Sequence, residues 1–219
     1  APTLAKPLPV LKLSALAGPT LLPLMIVGSV VLITTNTLIF GFVNWLPTFF
    51  VKQGLSVTQS LGYTLVIVSG SLVGCAIGAF LADLLGRKPT IIGASVWCIV
   101  FGAIYPFMND PSYLLTIGFL LIVGIYVLTA LLYGVYTSEL FPTEVRLRAT
   151  GICNMFGRGA TVVTPLLVVA LFTTYGLSGV LALMIGLLFI QIFVVAIWGI
   201  EPAKRRLEEL EGEEARARA

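Results

Sequence analysis

Residues 149–172 read ATGICNMFGRGATVVTPLLVVALF, an unbroken apolar run interrupted by one charge, Arg158. Crossing the hydrocarbon core of a bilayer as a helix takes about 20 such residues. At about 1.5 Å per residue, Arg158 lies roughly 18 Å along a helix from Arg146 in the preceding loop. A charge so deep is costly and is normally kept for a pathway, a proton relay or a buried partner. No other apolar run in the chain carries a charge in its inner part.

The surrounding sequence has the same character. The chain has 219 residues, of which 58% are hydrophobic and 11% charged, with a mean hydropathy of +1.04. A soluble domain of this length cannot hide that much apolar surface, so the expected class is all-α and polytopic in a membrane. Apolar runs of spanning length fall at about 20–46, 61–82, 89–108, 113–136, 149–172 and 177–199, which gives six transmembrane helices. Residues 201–219 are charged; Lys204–Glu208 and Arg205–Glu209 at i,i+4 predict a short solvated helix from Pro202 to Glu211. Lys6, Lys12, Arg87, Lys88, Arg146, Arg148 and the cluster Lys204, Arg205, Arg206 fall on one side, with Lys52 on the other. By the positive-inside rule both termini are cytoplasmic, in the inner (plasma) membrane. No secretory signal is recognisable in the proline-rich opening.

Several chemistries are excluded at once. There is no histidine, which removes most general-base and zinc chemistry. Cys75, Cys98 and Cys153 each stand alone in apolar runs and read as small buried residues, not metal ligands or a disulfide. Gly176-Leu177-Ser178-Gly179 has the look of a serine nucleophile string, yet without histidine no dyad forms, and it reads as a turn. No cofactor, metal or nucleic acid is expected, and no enzymatic activity.

Polar residues inside the runs mark candidate sites. Thr34-Thr35-Asn36-Thr37 interrupts the first run, and Asn36 needs amide partners in a cavity or across a helix interface. Tyr126, Tyr133 and, more loosely, Thr129 and Tyr136 share one side of the fourth. Their hydroxyls need partners at mid-membrane. Asn154 lies one turn before Arg158 on the same face. Gln191 suits an interhelical bond. Gly70, Gly74 and Gly78, continued by Ala82, form a stripe for close helix approach.

Two loops collect the remaining charge. The first reads Ala79-Phe-Leu-Ala-Asp83-Leu-Leu-Gly86-Arg87-Lys88, the second Ser138-Glu139-Leu-Phe-Pro142-Thr-Glu144-Val-Arg146. Asp83 can cap the positive N-terminus of a neighbouring helix. Glu139 and Arg146 can pair across a tight turn with Arg87 nearby. Several coupled charges of this kind can latch a gate that one exposed pair cannot. Asp83, Arg87, Lys88, Glu139 and Arg146 are therefore the candidate gating residues.

Together the loops resemble those of the major facilitator superfamily, in its carboxy-terminal half. The first is similar to the family's G-x-x-x-D-x-x-G-R-K motif between helices 8 and 9, departing at Ala79, where the leading glycine has moved to Gly78. The second resembles the sugar-porter and organic-ion signature between helices 10 and 11, and Asn44-Trp45-Leu46-Pro47-Thr48 resembles the outer end of helix 7 in aromatic-acid carriers. The resemblance implies that the six runs are helices 7 to 12, that residues 1–19 end a central cytoplasmic linker, and that the amino-terminal six-helix half is the partner. It further implies alternating access to a midplane site, and a position at Arg158, fixed by the spacing to Arg146 and Pro165, that faces the cavity of organic-ion carriers. The expected function is secondary transport of a small organic solute, an organic anion such as an aromatic or sugar acid, with Arg158, Asn154, Asn36, Tyr126 and Tyr133 lining the site; the competing reading is that Arg158 pairs with an acid of the amino-terminal half and never touches substrate. Proton symport would need an acid from the other half, since no span here contains one. A sugar or other neutral-metabolite porter, a six-helix channel and a transporter-like sensor are the alternatives.

Overall fold

The computed structural model describes residues 21–108, 110–142 and 145–201, and among these the secondary structure is entirely helical. The expected linker over residues 1–19 and the helix and i,i+4 pairs beyond Pro202 lie outside the described residues. Helix α1 spans Leu22–Gly41 and passes through a single tight turn, Val43–Trp45, into α2, Leu46–Lys52. Pro47 sits in the first turn of α2, where its missing N–H costs nothing. Helix α3 is Val57–Leu84; Ser56 and Gln59 close a reciprocal capping box at its start. Helix α4 is Arg87–Ile104 and α5 is Pro111–Leu131, capped by Asp110. Helix α5 runs on through a wide π turn, Leu132–Tyr136, into α6, Thr137–Glu139. The carbonyl of Leu132 accepts from both the backbone N–H and the hydroxyl of Thr137 across that turn.

Helix α7 is Arg146–Trp198, 53 residues long. Straight, it would measure about 80 Å, far beyond the roughly 30 Å hydrocarbon core. It is not straight. Gly176 has φ 67° and ψ −156°, a backbone region essentially reserved for glycine. The chain reverses there: a methyl placed on Gly179 would lie 3.1 Å from the Leu171 carbonyl oxygen, eight residues back. Five helical runs are long and apolar enough to cross a membrane, and the break in the last makes six passes.

Packing follows the small residues. Gly70, Gly74 and Gly78 lie against Phe119, Val123 and Val127, so α3 and α5 run parallel at a near-constant offset. At Gly74 the approach is closest; an added Cβ would stand 2.5 Å from the Val123 oxygen. Ala79 is exposed, and Gly78 makes the helix contact in its place. Helix α1 pairs in parallel with the first arm of α7, with Gly28 on Cys153, Gly157 on Leu32 and Thr164 on Thr37. Helix α4 runs antiparallel to the second arm, where Gln191 Nε2 donates to Ser95 Oγ at 2.9 Å. At the far end from the charged loops, Phe49 stacks on Phe172 at 5.0 Å and Lys52 lies over the same ring. One cysteine departs from the expected burial. Cys98 and Cys153 are buried, but Cys75 is exposed, because the glycine row on α3 turns the neighbouring positions outward.

Candidate functional site: a membrane-depth arginine and a clamp of helix ends

Arg158 is on an exposed part of the first arm of α7. Among the described residues its guanidinium has no ion-pair partner. Gly157 beside it is buried against α1, which orients the helix. Asn154, half-buried one turn earlier, donates from Nδ2 to the Thr150 carbonyl at 3.0 Å. Asn36 is only 2% exposed; its amide donates to Leu32 O at 2.8 Å and packs behind Gly157. Asn36 thus supports the helix that carries Arg158 and stands apart from the exposed face. Tyr126 and Tyr133 are half-buried on the α5 side. Tyr133 falls inside the π turn, and Tyr126 closes over Gly74.

At the charged end, four helix ends are tied together. Arg87 is the hub, with a side chain 16% exposed. Its Nε lies 3.1 Å from Glu139 Oε2, its Nη1 donates to Ala82 O at 2.8 Å, and Asp83 is 3.4 Å away. Glu139 therefore pairs with Arg87, whereas Arg146 donates from Nε to the Phe141 carbonyl within its own loop. Asp83 does not cap α4; its side chain is 83% exposed.

The cap comes from Glu201, which the sequence reading passed over. Its Oε1 accepts from the Arg87 N–H and its Oε2 from the Lys88 N–H, each at 2.8 Å. A carboxylate on the first two N–H groups of a helix satisfies orphan donors and meets the positive end of the dipole. Gly86 makes room for it. Its φ is 92°, and a Cβ there would fall 2.9 Å from Glu201 Oε1. Lys88 returns the favour at the last helix, donating to Ala196 O at 2.8 Å and Gly199 O at 3.1 Å. The ends of α3, α4, α6 and α7 are held by four side chains, Arg87, Lys88, Glu139 and Glu201. The signal in the sequence was a lone acid just past an apolar run and just before Pro202.

Comparison with known proteins agrees with this architecture. The family described as "Sugar (and other) transporter" matches residues 21–213. The inner membrane metabolite transport protein YdjE of Escherichia coli is 35% identical over 84% of this chain and 41% of its own length. The niacin transporter NiaP of Acinetobacter baylyi is 28% identical over 78% of this chain and 39% of its own. The cis,cis-muconate transport protein of the same organism is 28% identical over 58% of this chain and 30% of its own. The chain thus spans about two fifths of the length of relatives such as YdjE, a share that fits one half of a transporter. Its helices, its loop motifs and its relatives agree: the chain belongs to the sugar (and other) transporter family of the major facilitator superfamily.

Proposed function

We propose that the chain is the carboxy-terminal half of a secondary transporter for a small organic anion, working by alternating access with an amino-terminal six-helix partner. The observation that carries the reading is Arg158, an exposed guanidinium within an apolar span and without an acid among the described residues. Its planar fork suits a carboxylate in two-point contact. Asn154 on the same face supplies a neutral polar contact, Tyr126 and Tyr133 supply hydroxyls from α5, and Asn36 holds the helix behind. A relative named for cis,cis-muconate handles a carboxylate, which supports the class. The charged loops face the cytoplasm, and the Arg87–Glu139–Glu201 clamp holds the gate on that side. Rocking of the two halves would open it.

Uptake of radiolabelled carboxylates and of their neutral amides by cells carrying the complete transporter tests this. Carboxylate uptake that falls at least about tenfold in Arg158→Ala, and is not restored by Arg158→Lys, is expected from the loss of a charge-assisted pair. Full uptake by Arg158→Lys would remove two-point recognition. Equal uptake of amides would favour the neutral-metabolite porter.

A further inference from the structure

A groove of about 380 Å³ runs along the outside of the bundle where α3, α4 and α5 meet. Its walls are apolar, with Val73 and Leu85 from the α3 side, Pro89 and Trp97 from α4, and Phe119 from α5. Two polar groups reach the wall, and both are already used. Trp97 Nε1 donates to Leu120 O at 2.8 Å, and the Thr90 hydroxyl donates to Gly86 O at 2.6 Å. Gly93 opens onto the groove: a methyl placed there meets nothing within 4 Å. None of the residues assigned above to the transport path lines it.

The depth of the groove says what fits. It begins at Leu85 and Pro89, beside the charges of Asp83, Arg87 and Lys88, and ends at Val73 and Trp97, where the indole pinned to α5 closes it. From Leu85 to Val73 along α3 is about 18 Å, close to half of the roughly 30 Å hydrocarbon core. A helix of another protein would need a channel across the whole core. A groove that starts at the charged surface, stops near the midplane and offers no free donor or acceptor matches one hydrocarbon chain of one leaflet. We propose that it is a discrete binding site for a phospholipid acyl chain, from the leaflet on the Arg87–Lys88 side. The chain lies along α4, whose N-terminus anchors the clamp, so occupancy and clamp share one helix.

Gly93→Leu fills the groove, while Gly186→Leu puts the same bulk on an equally open, exposed glycine elsewhere on the bundle. The complete transporter is purified in detergent and delipidated, and a phosphatidylcholine with dibrominated acyl chains is titrated in. Binding is read by native mass spectrometry and by bromine quenching of tryptophan emission. Wild type and Gly186→Leu are expected to take up the lipid saturably, with a saturable component of quenching that disappears in Trp97→Phe, while the non-saturating quenching of Trp198, which is also exposed, stays. Gly93→Leu is expected to bind about tenfold more weakly, since about two methylene contacts are lost. Quenching of Trp97 that rises without saturation marks ordinary solvation by lipid and overturns the site, as does unchanged affinity in Gly93→Leu. A stable dimer that excludes the lipid from wild type overturns it too. Trp97→Phe takes bulk out of the groove wall instead of adding it, so the saturable quenching it removes reports the site even if Gly93→Leu folds poorly.

Discussion

Glu201 concentrates much of the clamp in one side chain. Its two oxygens take two backbone donors at the start of α4, and both bonds are charge-assisted. Glu201→Gln keeps the shape but offers one acceptor and no charge. The expected cost is about 1–2 kcal/mol of stability, in the range of lost caps and dipole contacts, visible as a lower melting temperature in detergent. An unchanged melting temperature would mean that the cap is dispensable. Arg87→Lys probes the other side of the clamp. Lysine can still meet Glu139, but it has no planar fork to reach Ala82 O at the same time. A smaller loss than for Arg87→Ala is expected, of roughly 1 kcal/mol, and equal losses for the two variants would show that only the fork matters.

These pairings were only partly legible. Asp83, Arg87, Lys88, Glu139 and Arg146 stand out as charges at helix ends, and the structure gathers the first four around one point. Which acid meets which base depends on how far each loop lets a helix end travel. That distance is set by packing between segments far apart in sequence, such as the 52-residue separation of Arg87 and Glu139. Glu201 was harder still, because it is 114 residues from its N–H donor and belongs to neither loop motif.

The helices are joined by glycine in two different ways, and substitutions separate them. On α3, Gly74 is required for contact: a Cβ would press on the Val123 oxygen and on Tyr126. Gly74→Leu is expected to prise α3 from α5 and cost more than about 3 kcal/mol, or abolish folding. Gly62 on the same helix has nothing within 4 Å, so Gly62→Ala is expected to gain about 0.5–1 kcal/mol through helix propensity alone. Comparable melting temperatures for the two variants would contradict the parallel α3–α5 contact. At Gly176 the requirement is the backbone, since no atom lies near the missing Cβ. Gly176→Ala is expected to cost about 1–3 kcal/mol by strain, again read from thermal unfolding. The sequence announced the glycine row and the turn at Gly176-Leu177-Ser178-Gly179, because spacing and residue type are local facts. It did not announce that the row faces α5, since any helix could satisfy the same stripe.

Taken whole, the described residues form six apolar helical runs with a clamp at one end and Arg158 partway along. Composition and run length made the passes readable, because the bilayer imposes one length on every span. Arg158 was readable only as an anomaly, and the structure adds that the residue is exposed on the bundle. The central claim is that its guanidinium holds a carboxylate. It is tested most directly by a ligand-induced thermal shift on the complete transporter in detergent, with organic carboxylates, their neutral amides, amines and sugars applied to wild type and to Arg158→Ala. Ligand at 100 times its Kd stabilises the folded state by about 2.7 kcal/mol. The account predicts that carboxylates alone raise the melting temperature of wild type, and that Arg158→Ala loses the rise while its ligand-free melting temperature stays within a few degrees. Stabilisation of both proteins by neutral sugars or amides, to the same extent, would contradict it and make Arg158 a structural partner of the other half.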